Sequence, residues 1–258
     1  MSDTADTYAQ LGRQYAQVRR ADPRIEQAIL DALESAATVV NVGAGTGSYE
    51  PRDRSVIAVE PSATMLAQRP DEAAPAIQAW AENLPFDDDE FDAAMAVLTV
   101  HHWIDCQQGL AEMRRVSHRQ VVLTWDPEVF RRFWLITDYF PELLDTERDL
   151  ATLHAVIRGL STPDRAPDVV PVLVPADCTD GFLAAHWRRP HAYLDPRVRA
   201  GMPGLQRLNP AIVANGVQRL TEDLATGLWA RRHAATLPPD GFDAGYRLVI
   251  ASRSQATP

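Results

Sequence analysis

Two adjacent histidines, His101 and His102, follow the apolar run Phe91 to Val97. An unperturbed imidazole titrates near pH 6.5, so either ring at the rim of a crevice could take a proton from an acceptor group or orient it. Far upstream, Gly43, Gly45 and Gly47 alternate directly after Val39-Val40-Asn41-Val42. Alternating glycines remove side chains where the backbone turns tightly and a ligand must come close to it. A carboxylate, Glu60, closes a second β-branched run, Val56 to Val59. Ligand-contacting glycines, an acid and a proton-accepting pair make one chemical site only if the strands before them end along the same edge of a sheet.

The pattern around these residues supplies such strands. Val39, Val40 and Val42 are almost continuously apolar, as expected of a parallel strand covered on both faces. Val56 to Val59, a weak Ala76 to Ala79, Phe91 to Val97 and Val121 to Trp125 follow as further strands. Asp22-Pro23 predicts a capped helix whose stripe is Ile25, Ala28, Ile29, Ala32, Leu33 and Ala36. Between Gly47 and Val56 there is room for one or two helical turns. Ser62 to Gln68 reads as a short helix capped by Ser62, and Asp105 with Gln108 as a capping box for a helix carrying Leu110, Met113 and Val116 inward. Such β-α-β alternation predicts an α/β fold with a doubly wound, mostly parallel sheet, and ligands at the carboxyl ends of its strands.

Beyond the fifth strand the pattern changes. Glu128 to Phe140 and Leu143 to Leu160 read as helices, Val169 to Val174 as a sixth strand, Asp180 to Trp187 as a helix and Leu248 to Ala251 as a terminal strand. The expected division is a core with an amino-terminal arm over 1–127, a helical cap over 128–168 and 188–240, and the rest of a seven-stranded sheet from 169–187 and 241–258. The arm, Tyr8 to Arg20, places Tyr8, Leu11, Tyr15 and Val18 at helical spacing.

With 35 acidic against 25 basic residues the chain carries a net charge of −10, which repels a phosphate backbone and favours a small-molecule substrate over nucleic acid. Every basic residue is arginine, which excludes a lysine nucleophile or Schiff base. Cys106 and Cys178 alone make a disulfide framework improbable, and the polar start and lack of a membrane-length apolar stretch lead us to expect a cytoplasmic protein without a membrane partner. The pattern leaves the oligomeric state open. Asp177, Cys178 and Asp180 lack a zinc spacing, so no metal site is expected.

For the glycine turn, two cofactor readings compete. A dinucleotide site wants G-x-G-x-x-G, but the spacing here is G-x-G-x-G with Ser48 where the third glycine belongs. Four motifs follow in order: Asn41 to Gly47, then Glu60-Pro61-Ser62 with Met65, then Ala81 to Phe86, then Phe91-Asp92-Ala93-Ala94 leading to His101-His102-Trp103. In these ordered motifs the chain resembles the class I S-adenosylmethionine-dependent methyltransferases, and within them the small-molecule, type 11-like group. The resemblance covers Tyr8 to Asp126 well and the rest in outline.

The resemblance implies a Rossmann-like fold, S-adenosyl-L-methionine as cofactor and transfer of its methyl group, with O-methylation in specialised metabolism as the expected reaction. It implies that Gly43, Ala44, Gly45 and Gly47 lie against the methionine portion, that Glu60 accepts from the ribose hydroxyls, and that Pro61, Met65, Ala81, Glu82 and Leu98 line the rest of the site. Tyr15 and Arg19 match an arm motif in which arginine pairs with the cofactor carboxylate. The family's first motif commonly begins with an acid, whereas this chain has Asn41. His101 and His102 occupy the position that reaches the methyl and its acceptor, and His102, farther from the strand and so able to point toward the cap, is the preferred proton acceptor of the two. Alternatives are a non-methylating enzyme using the same cofactor, a non-catalytic regulatory subunit, and an NAD-dependent oxidoreductase.

Three further groups have a structural alternative. Phe130, Phe133, Trp134, Tyr139 and Phe140 could wall a ring-bearing substrate, but such a stripe more often forms a core. Arg131-Arg132, Arg188-Arg189 and Arg231-Arg232 could bind a carboxylate, or be solvated. Asp126, at a strand end, could touch substrate or start a turn.

Overall fold

The computed structural model describes residues 20–146, 150 and 152–253. Helix α1 (Pro23–Leu33) starts where expected: the Asp22 carboxylate accepts from the Arg24 amide, and Pro23 enters the first turn, where its missing N–H costs nothing. Its buried Ile25, Ile29, Ala32 and Leu33 cover one face of the sheet.

That sheet has seven strands. β1 (Thr38–Val42) lies parallel to β2 (Ser55–Val59) on one side and to β4 (Phe91–Val97) on the other. β2 carries the short edge strand β3 (Ala76–Ile77), while β4 pairs in parallel with β5 (Ser117–Trp125). β6 (Asp168–Pro171) closes the far side, separated from β5 by the antiparallel final strand. Two residues farther on, β7 (Val174–Pro175) leaves that sheet and pairs with β8 (Gly241–Phe242) as a separate ribbon. The expected single strand Val169 to Val174 is thus split, for Pro171 cannot donate to a ladder and the chain bends after it. The final strand, β9 (Tyr246–Ser252), includes the expected Leu248 to Ala251 and runs antiparallel to both β5 and β6. The order β3-β2-β1-β4-β5-β9-β6 is the doubly wound, mostly parallel, Rossmann-like α/β arrangement.

Alternation along the strands divides the core. Val39, Met95, Val121 and Leu123 face α1, while Val40, Val42, Ala94, Ala96 and Val122 face the opposite layer. That layer contains α2 (Ala63–Leu66) at its edge, shorter than the expected Ser62 to Gln68 but capped by Ser62. Its main member is α3 (Cys106–Val116), whose Leu110, Met113 and Val116 point inward as predicted. Asp105 caps α3 through the Gln107 and Gln108 amides, but the capping box is only half formed: the Asp105 amide donates to Glu82 and the Gln108 side chain reaches the Glu82 carbonyl.

Several elements differ from the sequence expectation. No helix joins β1 to β2; residues 43–54 cross over in turns, because three glycines and Pro51 leave no uninterrupted helical turn. Glu128 to Phe140 is not one helix but α4 (Pro127–Phe130) followed by a π-helical turn, Leu135–Tyr139. Leu143 to Leu160 divides into α5 (Leu143–Thr146) and α6 (Leu153–Leu160). Although placed in the expected cap, α6 packs on α3 and the sheet through Leu153, Val156 and Leu160. Asp180 to Trp187 contains only a 3-10 turn, Leu183–His186. The remaining segment folds as a 3-10 turn over Pro190–Leu194, then α7 (Pro196–Ala200), α8 (Pro203–Arg207), α9 (Pro210–Ala225) and a second π-helical turn over Ala230–Ala234. Among the described residues, no helix is long and apolar enough to cross a membrane.

Candidate active site

At the carboxyl end of β1 the turn glycines adopt φ of +73° at Gly43, +55° at Gly45 and +93° at Gly47. The Gly43 and Ala44 amides both donate to the Val59 carbonyl, at 2.8 and 3.0 Å, which folds the turn back over the end of β2. A Cβ on Gly43 would lie 2.2 Å from the Thr99 hydroxyl, so the loop after β4 abuts the glycine turn without a gap. Leu98, also expected to line the site, has a φ of +51°, a conformation costly for a branched residue. It starts the bend that carries the chain to the 3-10 turn Val100–His102.

Glu60 stands at the end of β2 and is only 7 % exposed. Its two carboxylate oxygens accept from the Gly45 amide at 2.8 Å and the Ser62 amide at 2.9 Å. Burial pushes its pKa up, opposed by those two amides and by Arg69. Each oxygen accepts one bond here and keeps a lone pair for a further donor, as a pair of ribose hydroxyls would require. Met65 is buried with its terminal methyl beneath Gly45, and Ala81 is buried nearby in sequence to the loop residue Glu82. The Pro61 carbonyl accepts from Gln78, which ties the end of β2 to the segment after β3. Glu82 holds the start of α3 through the Asp105 amide, and Glu112 and Arg115 on α3 hold the backbone of Leu84 and Phe86. The Ala81 to Phe86 loop is therefore fixed by helix side chains.

The two histidine rings lie 3.7 Å apart, and His101 meets the Trp125 ring edge-on at 4.6 Å. The β4 and β5 ends thus converge on this pair. Burial, with the Arg207 charge adding, pulls His102 down from the ordinary imidazole value near 6.5 to about 3. It is neutral at physiological pH and a weak base, better suited to hydrogen-bonding an acceptor than to removing its proton. The free cysteines offer no nucleophile: burial raises Cys106 to about 11 and Cys178 to about 12.

Other candidates take structural duties. The Asp126 carboxylate caps α4 through the Glu128 amide. Phe130, Phe133, Trp134, Tyr139 and Phe140 are all buried and form the cap's own core. Arg188 donates to the Pro238 and Pro239 carbonyls, Arg189 to the Cys178 and Ala185 carbonyls, and Arg232 to Asp223. Arg131 pairs with Glu128, and Arg231 reaches the Thr226 carbonyl. Tyr15 and Arg19 lie outside the described residues.

Sequence reasoning missed Glu50 and Arg69. Asn41 donates its amide to Glu50 at 3.1 Å, and Arg69 grips both Glu50 oxygens at 2.8 Å while donating to the Gly45 carbonyl at 3.2 Å. It missed Tyr49 as well, whose φ is +64° and whose hydroxyl donates to Asp180 at 2.8 Å. Both charged residues stand in polar stretches that read as surface; the only local signal was the absence of an acid at position 41.

A crevice at the strand ends of an open parallel sheet, floored by glycines and flanked by a buried carboxylate on the next strand, defines an α/β enzyme for a nucleotide-like cofactor. Residues 40–123 match the methyltransferase domain family. A structure from Anabaena variabilis ATCC 29413, described as a methyltransferase from an antibiotic biosynthesis pathway, is 33% identical, with 92% of this chain and 100% of that one covered and a TM-score of 0.84. A SAM-dependent methyltransferase from Thermotoga maritima shares the fold at 20% identity, with 71% of this chain and 87% of that one covered and a TM-score of 0.52. No curated protein matches the chain. The chain belongs to the class I S-adenosylmethionine-dependent methyltransferases. The residues present fit that cofactor: the turn is open around Gly45, where a Cβ would meet nothing nearer than the Met65 methyl at 3.4 Å, and Glu60 retains acceptor capacity at the end of β2.

Proposed function

We propose that this enzyme methylates an oxygen of a small organic acceptor, with His101 accepting the acceptor's proton and His102 helping to orient it. The observation that carries the proposal is the packing of His101 between His102 and Trp125, where the ends of β4 and β5 meet. When bound, S-adenosylmethionine supplies a methyl group activated by a sulfonium. The glycine turn would admit its methionine portion and Glu60 would accept from its ribose hydroxyls. Holding the acceptor oxygen in line with the methyl is the main task left to the protein, since near-attack positioning accounts for much of the acceleration in a displacement. His101 takes the hydroxyl proton at an imidazole nitrogen as the oxygen attacks. His102, neutral because it is buried, can donate or accept one hydrogen bond to fix the acceptor's direction. The 33% identical relative from an antibiotic biosynthesis pathway supports specialised metabolism as the setting, and the net charge of −10 supports a small molecule over nucleic acid.

The test is methyl transfer from radiolabelled S-adenosylmethionine to panels of phenols, alcohols, carboxylic acids, amines and carbon acids, followed by mass analysis of the product. Transfer to oxygen is expected, with His101→Gln lowering kcat by about 10²–10⁴-fold. Transfer to nitrogen or carbon alone, or full turnover by the His101→Gln variant, overturns this assignment.

A further inference from the structure

The glycine turn lacks the support that this type of loop ordinarily receives. In a strand-turn-helix unit the helix following the glycines anchors the turn and directs its first amides at the ligand. Here residues 43–54 form no helix, yet the backbone must hold three positive φ angles. What holds it is a set of buried side chains. The Gly45 peptide is fixed at both ends, its amide by Glu60 and its carbonyl by Arg69. Arg69 in turn spans both oxygens of Glu50 and donates to the Ala74 carbonyl. Glu50 accepts additionally from Asn41 and from the Ala74 amide. The Arg69 and Glu50 side chains are each 6 % exposed, and Asn41 is 2 % exposed. Arg69 and Glu50 thus pair directly in a closed, hydrogen-bonded site, with Glu60, held by two amides, facing the same guanidinium charge.

This pairing dictates the residue at the head of the first motif. An aspartate at position 41 would set a carboxylate near 3.1 Å from Glu50, acceptor against acceptor, with no further guanidinium to meet it. The acid that resemblance leads one to expect at position 41 has in effect moved nine residues along, to Glu50. The third glycine serves the same site. A Cβ on Gly47 would come 3.1 Å from a Glu50 oxygen and 3.4 Å from an Arg69 nitrogen.

We propose that Asn41, Glu50 and Arg69 are a hydrogen-bonded brace, built on the Glu50–Arg69 pair, that replaces the missing helix behind the glycine turn, and that this brace sets cofactor affinity by positioning the turn. Residue 41 must be neutral because residue 50 is the acid. The inference rests on the cofactor assignment above, and Glu50 and Arg69 are positioning residues in it.

The experiment moves the charge. Wild type, Asn41→Asp, Glu50→Gln and the double variant N41D/E50Q are compared by calorimetric binding of S-adenosylhomocysteine and by ligand-free melting temperature. Asn41→Asp is expected to weaken binding by about ten-fold or more and to lower the melting temperature, since it adds an unbalanced buried charge. Glu50→Gln is expected to weaken binding too, because it leaves Arg69 without its acid. The double variant, with the acid back at 41 and the amide at 50, should recover binding to within about three-fold of wild type. Loss of folding by Asn41→Asp with recovery in the double variant supports the brace as well. Wild-type affinity in Asn41→Asp, or a double variant no better than Asn41→Asp, overturns it. If wild type itself fails to bind the homocysteine product, the cofactor assignment fails, and the ligand-free melting temperatures still decide the brace by the same pattern of loss and recovery.

Discussion

The cofactor half and the cap tie down distant backbone with different sets of side chains. Around β1 to β5, acids capture backbone amides from distant segments, Glu60 holding Gly45, Asp92 holding Ala37 and Thr38 and Glu112 holding Leu84, while Arg69 takes the Gly45 and Ala74 carbonyls and Arg115 those of Leu84 and Phe86. In the cap, arginines capture backbone carbonyls: Arg188, Arg189, Arg199 and Arg219 donate to Pro238, Cys178, Tyr193 and Tyr139 respectively. The difference follows from what each backbone leaves unpaired. Tight turns after parallel strands present free amides, while a succession of short helices and 3-10 turns ends repeatedly in free carbonyls. Acids and arginines together fix the turns of the half that must grip a ligand closely; in the cap, arginines, with long stems and several donors, bind together a half with little regular structure, and Asp126 and Asp195 cap the helices that follow them.

The largest effect should come from the contact that joins the two strand ends in the cofactor half. Gly43→Ala places a Cβ 2.2 Å from the buried Thr99 hydroxyl at a φ of +73°, and should cost about 3 kcal/mol or more and abolish product binding. Adding Thr99→Ala should recover part of the melting temperature but not all of it, because the positive φ remains. A Gly43→Ala enzyme that binds normally would break the comparison at its base.

Acid should act on the sites where the two halves meet. Burial lowers His102 to about 3 and His186 to about 4, from an unfolded value near 6.5. Between those values the unfolded chain binds the proton and the folded chain does not. The contribution is therefore intact above about pH 6.5 and is lost progressively as the pH falls toward 3 and 4. At pH 5 the loss is on the order of 2 kcal/mol per histidine. Urea titrations across this range should show the decline, and His102→Gln or His186→Gln should each flatten it.

Two smaller tests separate the halves. Glu60→Gln should weaken S-adenosylhomocysteine binding by about 1.5–3 kcal/mol, the value of hydrogen bonds to a charged acceptor, as read by calorimetry. Arg189→Met leaves the Cys178 and Ala185 carbonyls without their donor. It should cost about 1–3 kcal/mol in urea unfolding while binding of the same ligand stays unchanged. A cap variant that weakens cofactor binding as much as Glu60→Gln would show that the halves do not divide the work in this way.

Much of the cofactor half was readable because its signals are local. The valines of β1, the alternating glycines and the acid closing β2 each depend on neighbours within a few residues, and the sheet follows from their repetition. The helix expected between Gly47 and Val56 failed for an equally local reason, the glycine and proline content. The cap was read poorly because its stability is not periodic. Val129, Phe133, Ile136 and Phe140 are spaced as one helix but lie across an α-helical turn, a break and a π-helical turn, with Trp134 between them held by Trp187 and Tyr193 from far along the chain.

By itself the sequence determined the succession of strands along the chain, the glycine turn with its carboxylate partner, and hence the cofactor class, because backbone geometry and burial pattern are written in residue type at short range. Only the tertiary structure decided what Asn41, Glu50, Arg69 and the two histidines meet. Their roles depend on which charges and rings arrive from distant segments, and a buried charge is tolerated or costly according to its partner, which no local pattern specifies.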